Sequence, residues 1–166
     1  MPQWGAGAQY TRLIEQHGGA LLHLAILLTG NRHDAEDIVQ DAVLSVALAW
    51  PTARPRSGFA YLKRAVTNRS IDVLRARREY PTDTVPEIAA EDFGFLRHEE
   101  DRQFFAMVDT LPLRQRATLV LRYFADMDDR AIGAALGCSV ETVRAQAHHA
   151  ITKLRAQEDL IGGKNR

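Results

Sequence analysis

Polar side chains that can bond DNA recur along one predicted helix near the C-terminal end of the chain. They are Thr142, Arg144, Gln146, His148, His149 and Lys153. Hydroxyl, guanidinium, amide and imidazole groups of this kind bond both phosphate oxygens and base edges in the major groove. The opposite side has apolar residues at helical spacing, namely Val140, Val143, Ala147, Ala150 and Leu154. The pattern indicates a helix that packs along one face and offers hydrogen bonds to duplex DNA along the other.

The residues before this helix complete a helix-turn-helix pattern over Asp128 to Arg155. Gly133 is expected where two crossing helices leave no room for a side chain. Gly137 suits a left-handed turn residue, and Ser139 is a good N-cap for the second helix. A plain helical hairpin with a polar, solvated face is the alternative interpretation of the same residues.

A second concentration of charge suits a single DNA strand. Arg54 to Arg78 contains eight Lys or Arg residues and one acid, Asp72. The cations are Arg54, Arg56, Lys63, Arg64, Arg69, Arg75, Arg77 and Arg78. They can neutralise phosphates, while an unpaired base also needs hydrogen-bonding groups and a wall to stack on. Asn68 and Asp72 can supply the bonds, and Phe59 and Tyr61 the walls. The alternative is an Arg-rich face that only keeps the protein soluble.

The net charge of zero over 166 residues conceals this asymmetry. Asp83 to Asp101 contains seven acids and one Arg, so the sum hides opposed blocks. Pro81 to Phe95 has two prolines, clustered acids and no clear period, which predicts a linker. An apolar content of 46% and a charged content of 25% are typical of a globular domain.

The sequence predicts no enzyme and no cofactor. It contains no carboxylate cluster, no nucleophile beside a base and no phosphate-cradling glycine loop. His148 and His149 are adjacent, so they diverge by about 100° on a helix and make a poor metal pair.

The single cysteine, Cys138, precludes an intrachain disulfide and fits a reducing cytoplasm. Its expected role is packing. The longest apolar stretch, Leu21 to Leu28, is interrupted by His23 and is too short to span a bilayer, so no membrane insertion is expected.

Nearly every segment has helical periodicity and none has a strand pattern, which predicts an all-α fold. Helices are expected at Tyr10 to Leu28 and Asp34 to Trp50, with Pro51 ending the second. Ser57 should cap a third helix, and a bend near Asn68 should separate it from a fourth. Further helices are expected at about Glu99 to Asp109, after Pro112 and through the helix-turn-helix. The pattern predicts two small helical domains, 8–79 and 99–158, joined by a flexible acidic linker at 80–98.

These pieces also form a recognisable series. The N-terminal motifs are Leu27 to Gly30, Ala35 to Asp41, Ala60 to Leu62 and Asn68 to Arg75. The C-terminal motifs are Leu111 to Pro112, Gln115 to Arg116, Leu121 to Tyr123, Ala135 to Val140 and Thr142 to Arg144. In order and spacing, they resemble an extracytoplasmic-function sigma factor of bacterial RNA polymerase, of an actinobacterial type. The resemblance covers Tyr10 to Arg155.

The resemblance implies a sigma region 2-like domain and a sigma region 4-like domain. It implies a cytoplasmic promoter-specificity subunit that binds the β′ and β subunits of core RNA polymerase. Such a protein reads promoter DNA at the −35 element as duplex and at the −10 element as a melted strand. It has no catalytic site or cofactor of its own, and an anti-sigma factor is an expected partner.

Ala35 to Trp50 resembles the helix that docks on the coiled coil of the β′ subunit. The core-binding residues implied are Asp37, Gln40, Asp41 and Leu44, which lie three or four residues apart on one face. The apolar side is expected to include Val46 and Leu48. The alternative is an ordinary amphipathic helix whose acidic start is favoured by the helix dipole.

The basic block resembles the −10 region. The −10 contacts implied are Tyr61, Lys63, Arg64, Asn68, Arg69, Asp72 and Arg75. In the family, the position matching Asn68 lies at a loop that captures a flipped base. Tyr61 stands where Trp is more usual, which leaves its stacking role open.

The −35 contacts implied are Thr142, Arg144, Ala145, Gln146, His148 and His149. Gln146 stands where many relatives have Arg, and Gln favours adenine where Arg favours guanine, so a different −35 preference is expected. Glu141 replaces a frequent Gly. It can repel a phosphate, favour the helix dipole or accept a bond from cytosine.

A stand-alone helix-turn-helix regulator of duplex operators is the alternative function. It accounts for Asp128 to Arg155 but leaves the basic block and the Ala35 to Trp50 helix unexplained.

Overall fold

The computed structural model describes residues 3–53, 57–76 and 99–162, and every regular element in these segments is a helix. The helices are α1 Gln3–Thr29, α2 Arg32–Ala53, α3 Gly58–Ala76, α4 Glu99–Val108, α5 Leu113–Leu119, a π turn Val120–Phe124, α6 Asp129–Leu136 and α7 Val140–Gly162. The all-α prediction is confirmed. The predicted linker at 80–98 lies outside the described residues.

The first three helices pack against one another around apolar residues spaced three and four apart. The buried members include Leu21, Leu24 and Leu28 of α1, Ala35, Ile38 and Ala42 of α2, and Leu62, Val66 and Ile71 of α3. Gly30 ends α1 with a left-handed φ of 71°. Ser57 caps α3 as predicted, because its Oγ accepts the Ala60 amide at 3.2 Å.

Two predicted breaks are wrong. α2 continues past Pro51 to Ala53, since proline removes one amide donor without preventing a last helical turn. α3 has no bend near Asn68. Its buried polar residues stay inside the helix because Thr67 donates to the Lys63 carbonyl at 2.7 Å and Ser70 to the Val66 carbonyl at 2.8 Å.

The helix-turn-helix has the predicted local geometry. Asp128 caps α6 by accepting the Ala131 amide at 2.7 Å, and Ser139 caps α7 by accepting the Thr142 amide at 3.1 Å. Each cap contributes about 1 kcal/mol. Gly137 has a φ of 69°, a conformation that costs other residues about 1–2 kcal/mol. A Cβ on Gly133 would lie 2.7 Å from the Cys138 carbonyl oxygen, so the turn requires glycine there.

The helices after residue 98 pack onto the first three. α5 and the π turn contact α1, and α6 contacts α3. Phe105 of α4 is fully buried and meets the His23 ring of α1 edge-on at 5.0 Å between centroids. The apolar cores of the two halves are therefore continuous.

Candidate nucleic-acid interface

The predicted core-binding residues of α2 form one exposed face. Asp37, Gln40, Asp41 and Leu44 are all exposed, and the Leu44 side chain keeps 57% of its surface accessible. Leu48, expected on the inner side, is 87% exposed. It lies one turn beyond Leu44, so the face is an acidic and amide edge that continues into two apolar side chains. The sequence signal that places Leu48 on this face is its spacing of four residues from Leu44.

Arg69 connects this face to α3. Its guanidinium lies 4.0 Å from the Asp41 carboxylate and bonds the Ser45 hydroxyl. The structure thus places a predicted −10 contact directly beside the predicted core-binding face, across the α2–α3 boundary.

An open groove of about 360 Å³ lies between α2 and α3. It is lined by Ser45, Val46, Tyr61, Arg64, Ala65 and Asn68. Tyr61 is 37% exposed and offers an aromatic wall, while the Asn68 amide and the Arg64 guanidinium supply donors. Such a groove can stack a base and bond its edge. The expected loop position of Asn68 is wrong, because this residue lies inside the continuous helix α3.

Two other predicted −10 residues are held by the C-terminal half. Arg75 donates to the carbonyls of Ala134 at 2.9 Å and Ala135 at 3.2 Å, near the C-terminal end of α6. Lys63 donates to the Phe124 carbonyl at 2.9 Å, with its ammonium 4.9 Å from the centroid of that ring. A cation suits the negative end of a helix, so these contacts are favourable. Asp72 is exposed.

Arg116 of α5 is a buried cation that helical periodicity does not reveal. Its side chain is 0% exposed, and its Nε donates to the Leu27 carbonyl of α1 at 2.7 Å. One terminal nitrogen lies 4.0 Å from the Asp109 carboxylate, and neither terminal nitrogen has a hydrogen-bond partner within the described residues. Burial lowers the pKa of Arg116 to about 10, with Asp109 opposing the shift. In the sequence, Arg116 stood out only as part of the Gln115 to Arg116 motif, which carries no information about its burial.

The predicted −35 residues of α7 differ in how exposed their side chains are. Arg144, Ala145, His148 and His149 are exposed, whereas Thr142 and Gln146 are half-buried. Thr142 is also engaged with the Ser139 cap, its hydroxyl 3.0 Å from the Ser139 hydroxyl. The inner face of α7 is buried as predicted at Val143, Ala147, Ala150 and Leu154, whereas Val140 is only half-buried.

Asp129 carries a pair of charged contacts beside this face. Its carboxylate accepts from Arg122 Nε at 3.0 Å and lies 3.4 Å from Arg144 Nε. The hydrogen bond from Arg122 is the main reason that the pKa of Asp129 falls below its usual value. The carboxylate therefore stays ionised, and it gives up its share of stability only when the pH drops through that lowered pKa.

The described residues contain no group of three or more His, Cys, Asp or Glu side chains able to hold a metal ion. His148 and His149 have ring centroids 6.2 Å apart and diverge as expected for neighbours on a helix. Among the described helices, none is both long and apolar enough to cross a membrane.

Comparison with known proteins assigns both halves. Residues 13–80 match the family model of sigma-70 region 2, and residues 101–154 match that of sigma-70 region 4. The chain is 32% identical over 165 residues to the ECF RNA polymerase sigma factor SigE of Mycolicibacterium smegmatis, covering 93% of this chain and 61% of that protein. It is 31% identical over 160 residues to the RNA polymerase sigma-E factor of Streptomyces coelicolor, covering 95% of this chain and 89% of that protein.

One solved structure has a similar fold. The sigma factor RpoE of Bartonella quintana, crystallised with the anti-sigma factor NepR, matches with a TM-score of 0.53 at 22% identity. The match covers 89% of this chain and 95% of that one. Two region models in the expected order and two relatives above 30% identity agree with the all-helical fold and its C-terminal helix-turn-helix. The chain therefore belongs to the ECF RNA polymerase sigma factor family.

Proposed function

We propose that this chain binds core RNA polymerase through α2 and directs it to promoters whose −10 and −35 elements it reads with α3 and α7. The observation that carries the proposal is the presence in one chain of three exposed surfaces, on α2, α3 and α7. A duplex-binding regulator needs only α7 and leaves the other two without a role. On this proposal the chain acts in the cytoplasm, performs no catalysis and needs no cofactor.

Core docking is assigned to Asp37, Gln40, Asp41 and Leu44, with Leu48 extending the surface. Acidic and amide groups around exposed leucines suit a basic helix of the β′ subunit, because complementary charge steers the encounter and apolar contact provides affinity. The exposure of both leucines supports this role, since an apolar side chain gains by burial in a partner.

Recognition of the −10 strand is assigned to the groove, with Tyr61 as the wall, Asn68 as the base-bonding amide and Arg64 as a phosphate contact. Arg69, Asp72, Lys63 and Arg75 surround it. Because Lys63 and Arg75 are held by the Phe124, Ala134 and Ala135 carbonyls, the full set requires their release. The two halves therefore have to separate before α3 engages DNA with all its cations.

Replacing Asn68 with alanine should weaken open-complex formation more than polymerase docking. The side chain is exposed, so the fold should persist, while the lost base contact should shorten open-complex lifetime about tenfold. Lifetimes are measured by heparin challenge, and core affinity is titrated in parallel. Equal lifetimes for wild type and variant would refute the assignment.

Replacing Gln146 with arginine should shift the −35 preference from adenine toward guanine at the contacted position. A good bidentate pair discriminates by about 1–3 kcal/mol, so the ranking of −35 variants in run-off transcription should change. An unchanged ranking would show that residue 146 does not contact a base.

Regulation by an anti-sigma factor is part of the proposal. The similar structure from Bartonella quintana is a complex with such a partner. Its counterpart for this chain would have to occupy α2 to block polymerase, or α3 or α7 to block the promoter.

Binding of labelled promoter DNA tests the function directly. The chain alone should bind weakly, and the chain with core polymerase should bind tightly. Strong core-independent binding to a palindrome would instead favour the stand-alone regulator.

A further inference from the structure

Asp129 joins three elements of the helix-turn-helix. It is the first residue of α6, and its carboxylate contacts Arg122 of the π turn and Arg144 of α7. The side chains of Arg122 and Asp129 are 23% and 25% exposed, whereas Arg144 is 67% exposed. One carboxylate oxygen is thus anchored by a half-buried guanidinium, and the other faces the guanidinium that projects into solvent.

The atoms used by Arg144 in this contact matter for base reading. Its Nε points to Asp129, and in the part of the chain that the structure describes Arg144 has no other hydrogen-bond partner. The two terminal amino groups therefore remain available. Guanine presents two acceptors, O6 and N7, that an arginine bonds as a pair. A fixed Nε defines the plane of the guanidinium and lowers the entropy lost when the pair forms.

The same carboxylate opposes binding wherever that pair is not made. Asp129 forms a cluster with two guanidinium groups, those of Arg122 and Arg144, and its carboxylate neutralises part of their charge. Without the carboxylate, both cations would attract phosphates at every sequence, so Asp129 weakens binding that does not depend on the base pair made by Arg144. Specificity then arises from a repulsive group together with an attractive one.

We infer that Asp129 is a positioning residue for −35 recognition, which directs Arg144 toward a guanine and lowers affinity for other sequences. The inference rests on the proposed function of α7 as the −35 reader. Loss of the carboxylate should raise the affinity for non-preferred duplexes. It should at the same time lower the discrimination that Arg144 makes between −35 sequences.

The test uses the full chain with core polymerase on promoters that differ only in the −35 element. Asp129→Asn should reduce the ratio of preferred to non-preferred binding about tenfold, within the range of one bidentate contact. Affinity for non-preferred elements should rise. Asp128→Asn is the matched control, because it removes one charge at the adjacent position while asparagine caps α6 as well as aspartate does. It should leave the ratio unchanged.

Two further variants separate positioning from charge and from folding. Asp129→Glu keeps the charge but displaces the carboxylate, so it should also reduce the ratio. In an Arg144→Ala background, Asp129→Asn should produce no further loss of discrimination, since the group it positions is gone.

The outcomes are distinct. The inference would be overturned if the wild type discriminates between −35 elements and Asp129→Asn has the same ratio of preferred to non-preferred binding. It would also be overturned if Asp128→Asn lowers that ratio as much as Asp129→Asn does, or if the losses from Asp129→Asn and Arg144→Ala add in the double variant. A parallel fall of affinity for all elements, with a lower melting temperature, would show a purely structural role and also overturn it. A wild type without any −35 preference would instead refute the proposed function of α7.

Discussion

Replacing Arg116 with alanine should lower the free energy of unfolding by about 3–5 kcal/mol. The side chain is fully buried between α5 and α1, so its removal leaves a cavity and deprives the Leu27 carbonyl of its donor. The Asp109 carboxylate, 18% exposed, also loses the cation 4.0 Å away. The predicted loss is large because all three effects act at one position.

Urea denaturation of the full chain measures this loss. Arg114→Ala is the control, since Arg114 lies on the same helix but is only half-buried, and it should cost below about 1 kcal/mol. A similarly small loss for Arg116→Ala would mean that the side chain is solvated and that α5 does not pack on α1 as described.

Replacing Leu44 with aspartate should weaken binding to core polymerase by about 2–4 kcal/mol, or roughly thirtyfold to a thousandfold. The substitution puts a charge where an apolar contact is proposed, beside Asp37, Gln40 and Asp41. Because Leu44 is 57% exposed, the fold should tolerate the change.

Titration of labelled chain with core polymerase gives the affinity, and Leu44→Met serves as the volume-conserving control. The methionine variant should bind within a few-fold of wild type. Equal affinities for Leu44→Asp and wild type would remove α2 from the docking surface.

Local rules predicted the helix-turn-helix well. Gly137 needs a left-handed φ, Gly133 needs close backbone approach and Ser139 needs an orphan amide, and each requirement involves only a few neighbouring residues. The groove was predicted in part, because an unpaired base needs a wall and a hydrogen-bonding group and the basic block offers Tyr61 and Asn68 for these roles. Its α2 wall at Ser45 required knowledge of how two helices pack.

The remaining features depend on contacts between distant parts of the chain. Arg116 bonds the Leu27 carbonyl, and Arg75 bonds carbonyls of α6. Neither cation is distinguishable by periodicity from a solvated arginine, because its partner is a backbone atom many residues away. The errors at Pro51 and Asn68 are different in kind. Pro51 removes only one amide donor near the end of α2, and the polar side chains of Thr67 and Ser70 bond carbonyls of their own helix without ending it.

We propose that one chain supplies polymerase docking and recognition of both promoter elements. Run-off transcription from a pool of genomic promoters, with core polymerase in the presence and absence of the chain, tests it most directly. Transcripts are expected only when the chain is present, from starts that share one −35 and one −10 element. Transcripts that do not depend on the chain, or none in its presence despite tight DNA binding by the chain alone, would contradict it.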